Sequence, residues 1–372
     1  MKTLHRYLLA ILLFDALVMG FVFSVSGFYN FNVDAKDYIA QVEAFAGTDI
    51  ENGEQTARRE FKPLYGVLGG SFVMLLGIEA ETSVVVLNIL FLIGLSYTFF
   101  FFLKQLDIEN LPAFIGVLWL ISGYPMLKYG LSIGTDISGW FFAAISSLIG
   151  LYGLRQNKIK FLIAASVLGF IGFLAKETGL LGLGLVGITL LFGLKKATFF
   201  DVVRKGLALC APFLILEALF MVYLFEQNTA TFFDWYTINR DGIHSFQTLY
   251  YFLFVELATF HVLLLFAAVG FVAAIRNIEL FSWSWISRYA PAFLATLPII
   301  VWPMYISRIT YIQYLFMIPL ALYGSGHLQT IFLKNWLSRP IKIVFFASVP
   351  IVTSASLFIV SKGGSLFEVF FK

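Results

Sequence analysis

Long apolar runs, each near the ~20 residues a helix needs to cross a bilayer, repeat along almost the whole chain with short polar turns between them. They predict transmembrane helices near residues 7–26, 82–103, 111–128, 137–154, 161–175, 178–194, 206–226, 249–273, 288–306, 310–325 and 341–360, about eleven crossings in an all-α polytopic membrane protein. One long polar segment breaks the pattern, from Phe28 to Tyr65. Within it Tyr38, Ile39, Val42, Phe45 and Ala46 recur at helical spacing and predict an amphipathic helix on the membrane surface. The next apolar run, Pro63 to Gly77, would be only about 22 Å long as a helix, short of a hydrocarbon core of about 30 Å. It is expected to lie at the interface, with Pro63 in its first turn and close packing through Gly66, Gly69 and Gly70.

Charge then sets sidedness. With the amino terminus inside, the turns holding Lys104, Arg155, Lys158, Lys160, Lys195, Lys196, Arg204, Lys205, Arg276, Lys334, Arg339 and Lys342 are cytoplasmic, as positive residues prefer. Counting Pro63 to Gly77 as a crossing would move all twelve of them outside. Asp34, Asp136, the Lys176-Glu177 pair, the loop 227–248 and Arg308 then share the extracytoplasmic face of a plasma (inner) membrane. The first run follows Lys2 and Arg6 as a signal peptide would, but it can span and offers no convincing cleavage site, so a retained helix is expected.

Composition agrees and excludes much. Hydrophobic residues make up 60% of the 372, charged residues only 13%, and mean hydropathy is +0.87. The net charge of +3 is dispersed, without the basic face or stacking aromatics of a nucleic-acid partner. Cys210 is the single cysteine and the four histidines are scattered, so neither a disulfide framework nor zinc spacing exists in the sequence.

The polar segment concentrates the candidate chemistry: Asp34, Asp37, Glu43, Asp49, Glu51, Glu54 and Glu60 with Lys36, Arg58, Arg59 and Lys62. An aspartate opening a helix is often only its N-cap; in an outer cavity it can also serve as general base toward an acceptor hydroxyl. Asp136 has the same two readings at the start of its span. The run 161–175 is short, so Lys176 is expected below the outer headgroups, either paired with Glu177 or holding an anion.

Asp34 four residues before Tyr38, the basic stretch through Arg58 and Arg59 into Lys62-Pro63-Leu64-Tyr65, Asp136 after the third span, and Phe173-Leu-Ala-Lys176-Glu177-Thr-Gly179 occur in an order that resembles the C-type glycosyltransferase superfamily (GT-C). Protein O-mannosyltransferases and lipid A aminoarabinose transferases are members. The resemblance covers roughly residues 1–226, a catalytic membrane module, with 227–372 as variable C-terminal transmembrane helices of one continuous membrane domain. It implies an inverting transfer of a sugar from a polyprenyl-phosphate donor to a lipid, glycan or protein acceptor. Asp34 would be the catalytic base, Asp37 and Asp136 supporting acids, and Lys176, Arg58, Arg59 and Arg308 ligands of the donor phosphate. The acidic residue that often follows the first aspartate is Ala35 here, which leaves a divalent metal an open question and the metal ligands unknown.

Trp235, Tyr236, Arg240 and His244 are candidates for sugar or acceptor contact, against the commoner reading of interfacial aromatic anchors. Asp15, Glu217, Glu256 and His261 fall within apolar runs and need partners there. Helix-to-helix hydrogen bonds would satisfy them; an ion path would instead make the chain a transporter or flippase of lipid-linked glycans. A non-catalytic membrane assembly subunit is the third reading.

Overall fold

The structure, a computed structural model, describes residues 2–31, 34–47, 62–193, 198–226, 256–257, 259–276, 311–332 and 338–362. Its secondary structure is helical throughout: α1 (Lys2–Ser26), α2 (Ala35–Ala46), α3 (Leu64–Leu76), α4 (Ala80–Gln105), α5 (Asn110–Ile121), a π-helical turn (Met126–Gly130), α6 (Asp136–Gln156), α7 (Ile159–Ala175), a 3-10 turn (Glu177–Leu180), α8 (Leu181–Phe192), α9 (Phe199–Glu226), α10 (Val262–Arg276), a 3-10 turn (Tyr311–Gln313), α11 (Tyr314–Phe332) and α12 (Arg339–Ser361). Five of these are long and apolar enough to cross a membrane: Leu4–Ser26, Ala80–Gln105, Asp136–Gln156, Phe199–Glu226 and Pro340–Ser361. The chain is an all-α membrane protein.

Several expected elements change on folding. The run 111–128 is not one helix: α5 stops at Ile121 and the chain resumes as the π-helical turn. Pro125 disfavours helix at the residue before it, and Ser122 turns its hydroxyl back onto Leu118 O at 2.6 Å, so the ladder ends there. In the run 249–273, residues 256–257 and 259–260 are helical, a turn at His261 with φ 34 follows, and α10 continues from Val262. The expected crossing at 288–306, and Arg58, Arg59, Trp235, Tyr236, Arg240, His244 and Arg308, lie outside the described residues.

α3 is 13 residues, about 20 Å by helical rise, shorter than a hydrocarbon core of about 30 Å. Pro63 takes its N-cap rather than its first turn. Gly66, Gly69 and Gly70 face α2: a Cβ on Gly66 would come 2.8 Å from Gln41 Cγ, and one on Gly70 would come 2.7 Å from Phe45. Backbone contact between the two helices therefore requires glycine there.

Two apolar clusters hold the molecule. The larger joins Leu92, Phe99 and Leu103 of α4, Val117 and Leu120 of α5, Trp140 of α6, and Tyr311 and Tyr314. The smaller unites Ala35, Ile39 and Val42 of α2, Tyr65 of α3, Val84 of α4, Ile133, Phe142 and Ala175. That second cluster brings the first residues of α2, the approach to α6 and the last residue of α7 to one end of the bundle. Lys362 Nζ donates to Asn30 Oδ1 at 2.9 Å, so the C-terminal end of α12 lies there too. Arg155 and Asp107, paired at 3.0 Å, join the end of α6 to the α4–α5 turn.

Of the polar residues inside the spans, Asp15 and His261 find partners on other helices, whereas Glu217 Oε2 is buried without a hydrogen bond. Ser96 Oγ donates to Asp15 Oδ1 at 2.8 Å, joining α4 to α1. His261 lies 2.7 Å from Ser354 Oγ and 3.1 Å from Thr353 Oγ1, both on α12. These are helix-to-helix contacts of the kind that polar groups in hydrocarbon require. Cys210 is exposed on the face of α9.

Candidate active site

Asp34 is placed by two pins. Ahead of it, Ile133 N–H donates to Asn30 O at 2.8 Å, part of a parallel bridge between Phe31 and Ile133. After it, Thr135 Oγ1 donates to the Tyr38 hydroxyl at 2.9 Å. The start of α2 is thus fixed beside the residues that lead into α6. Asp34 occupies the N-cap position of α2, yet its side chain makes no capping hydrogen bond. Asp34 and Asp37 are both half-buried.

A second layer supports this arrangement. Tyr65, fully buried, donates its hydroxyl to Asn88 Oδ1 at 2.6 Å, and burial pushes the phenol above its ordinary range. Asn88 Nδ2 in turn donates to Ser132 O at 2.7 Å and Gly134 O at 3.2 Å. The loop 131–135 is therefore held by side chains from α2, α3 and α4.

Asp136 is the first residue of α6, with Thr135 at the N-cap. A carboxylate in the first turn is favoured by the helix dipole, and here it also meets a cation: Lys176 Nζ lies 3.4 Å from Asp136 Oδ1. Lys176 ends α7 because its backbone is extended, φ −158 and ψ 135, and its side chain is turned toward α6 instead of Glu177. Glu177 is the partner of Lys62, the residue before Pro63. The pairing expected within the Lys176-Glu177 dipeptide is thus exchanged for two pairs across the fold. Neighbouring residues on an extended-to-3-10 junction point apart, so each reaches a different element.

All four groups are buried: side-chain exposure is 2% for Lys62, 8% for Glu177, 5% for Lys176 and 3% for Asp136. Burial alone would raise the Glu177 carboxyl, but the Lys62 and Lys176 charges outweigh it and hold it at about 2. Two cations and two carboxylates balance, which is the condition under which buried charge is tolerated. The turn fits against α6 because position 139 is glycine: a Cβ there would come 2.8 Å from Lys176 Cβ. Gly179 meets the backbone of Gly172 on α7, where a Cβ would come 2.6 Å from its carbonyl carbon.

Among the expected site residues, the fold brings Asp34, Asp37, Asp136 and Lys176 to one end of the bundle. Lys62 and Glu177 join them as a buried pair that sequence reasoning had not assigned. Lys62 was visible only as part of the basic stretch, with nothing local to mark its partner. Among the described residues no group of three or more His, Cys, Asp or Glu side chains comes together to hold a metal ion. The described side chains do not fit a metal centre.

No protein-family model matches the sequence, and no curated protein matches it. Solved structures do match in fold. The archaeal oligosaccharyltransferase AglB from Archaeoglobus fulgidus, in complex with an inhibitory peptide and a dolichol-phosphate, superposes with a TM-score of 0.60 at 12% identity, over 96% of this chain and 56% of that one. An Archaeoglobus fulgidus oligosaccharyltransferase in complex with Zn and sulfate gives 0.53 at 11% identity, over 95% and 53%. The chain shares the helical membrane fold of these two structures. It spans about half the length of the structures it matches.

Proposed function

We propose that the protein is an inverting glycosyltransferase that moves a sugar from a polyprenyl-phosphate donor to a lipid, glycan or protein acceptor at the extracytoplasmic face of the membrane. The observation that carries this reading is the convergence of Asp34 with the Asp136–Lys176 pair at one end of a GT-C fold. The AglB structure, of similar fold, holds a dolichol-phosphate and an inhibitory peptide, and the lipid phosphate supports a lipid-linked donor here.

In this mechanism the Asp34 carboxylate takes the proton of the acceptor nucleophile as that atom attacks the anomeric carbon from the side opposite the phosphate. The bond from the anomeric carbon to the phosphate oxygen breaks, and its electron pair leaves with the polyprenyl phosphate. Charge on the phosphate grows in the transition state, so preorganised cations there accelerate transfer. Lys176 is the cation assigned this role, with Asp136 positioning it; Arg58, Arg59 and Arg308 are further candidate ligands. Asp37, one turn into α2, adds negative potential beside the base. No step is assigned to a metal.

The test uses purified protein in lipid nanodiscs with a radiolabelled polyprenyl-phosphate sugar. Asp34→Asn is expected to lower turnover by roughly 100- to 10,000-fold, the range for a lost general base, while donor binding persists. An Asp34→Asn protein that transfers at the wild-type rate would overturn the assignment.

A further inference from the structure

Four side-chain contacts close a ring that joins Asp34 to Lys176 by two separate routes. On the first, Thr135 Oγ1 donates to the hydroxyl of Tyr38, one turn after Asp34, at 2.9 Å, and the next residue, Asp136, meets Lys176 Nζ at 3.4 Å. On the second, Gln41 Nε2 donates to Lys62 O at 3.2 Å, and the Lys62 ammonium pairs with Glu177, the neighbour of Lys176. α2 closes the circuit, because Tyr38 and Gln41 lie three residues apart and therefore on one side of that helix. The candidate base stands at its start.

The first route contains a group assigned to the reaction; the second does not. Stability gives no sufficient reason for it, since a buried ion pair is costly to desolvate and apolar groups of similar volume often serve as well or better. What the pair adds is direction. Ala175, at the end of α7, shares the smaller apolar cluster with Val42 of α2 and Tyr65 of α3, yet apolar contact is non-directional and lets packed surfaces slide. A buried charge pair fixes the register instead. Both of its supports are stiff. On one side Lys176 N–H donates to Gly172 O at 2.8 Å and Gly179 N–H to Lys176 O at 2.9 Å. On the other, Gly66 and Gly70 bring α3 directly onto Gln41 and Phe45 of α2.

We propose that Lys62 and Glu177 are positioning residues for transfer, a clamp that sets how far the Asp34 end of α2 stands from Lys176. The inference rests on the transferase reading above. In that reaction the base and the leaving-group cation act on opposite sides of one anomeric carbon, so the span between them enters the rate. A misplacement of about 1 Å, even one caused far from the chemistry, costs about 100-fold. Lys62 and Glu177 meet no reacting atom in this scheme; they act through Lys176 on one side and through Gln41 and α2 on the other.

The experiment removes both charges together. Lys62→Met/Glu177→Met leaves no orphaned ion, so the full-length protein in nanodiscs should melt near the wild-type temperature, whereas Glu177→Gln alone should melt lower. The double variant should nevertheless lose about 100-fold in kcat, while its Kd for the lipid-linked donor, measured separately, stays within about twofold of wild type. In a Cys210→Ala background, nitroxides on Lys36→Cys in α2 and Leu180→Cys in the turn after α7, both exposed positions, report the spacing by pulsed electron paramagnetic resonance. The double variant should shift or broaden that distance distribution. A stable double variant with wild-type kcat overturns the clamp, and so does an unchanged distance distribution. Melting as low as Glu177→Gln would assign the pair to stability and equally overturns it. If the wild type transfers no sugar but the double variant shifts the distance, the transferase reading falls and the clamp between α2 and the turn stands.

Discussion

Lys176 reaches 3.4 Å across to Asp136, not to Glu177 beside it, and that choice joins the turn after α7 to the first residue of α6. Glu177 is left to Lys62, so two ion pairs fasten three segments that are far apart in sequence. Pairs this deeply buried cost several kcal/mol in lost hydration per ion, and their attraction compensates only when geometry is good.

Lys176→Met keeps the apolar stem and removes the charge. If the cation also meets the leaving phosphate, kcat/KM should fall by about 2 to 4 kcal/mol in transition-state terms. Asp136→Asn should also lower activity, and the double variant should lose less than the sum, because the two groups act as one unit. Steady-state kinetics with the lipid donor on all three variants measures the coupling. A Lys176→Met protein that is less stable but fully active per folded molecule would reduce the pair to a structural role.

The Lys62–Glu177 pair predicts a pH dependence with a definite sign. The Glu177 carboxyl, ordinarily 4.5, is held at about 2 in the fold, so its contribution to stability is complete above about 4.5 and is lost as pH falls toward about 2. Thermal unfolding in detergent should show the wild type losing stability across that window. Glu177→Gln should lack that component. At neutral pH the same variant leaves Lys62 buried without its carboxylate, at a cost of about 3 to 5 kcal/mol. An unchanged acid limb in the variant would show that the pair does not form.

Gly139 offers a steric test of how the turn seats. Gly139→Ala places a Cβ 2.8 Å from Lys176 Cβ and against Thr178, and should cost about 1 to 3 kcal/mol by overpacking. Gly184→Ala on α8 is the control, since a Cβ there meets nothing within 4 Å; it should be neutral or stabilise by up to about 1 kcal/mol. Equal melting temperatures for the two variants would contradict the close approach of the turn to α6. Activity of Gly139→Ala should fall with its stability, because Lys176 moves.

Hydropathy and length are local properties, and they marked α4, α6, α7, α8 and α12 within about three residues and the C-terminal ends of α1 and α9, whose starts lie five and seven residues earlier than expected. The same apolar background made its few charges conspicuous: Asp34, Asp136 and Lys176 stood out because a charge in such a chain needs a reason. The glycines of α3 were legible as close-packing positions, although Gln41, Val42 and Phe45 as the opposing surface were not. Pro125 was present in the sequence, yet hydropathy averaged over the break after Ile121 and read one helix where there are two pieces. What pairs with what was decided only by the tertiary structure. An ion pair depends on which helix ends meet and how far each side chain reaches, and neither is encoded within a sequence window. Lys62 finds Glu177, Lys176 turns to Asp136, and Lys362 reaches Asn30 because packing of apolar faces brings those helix ends together.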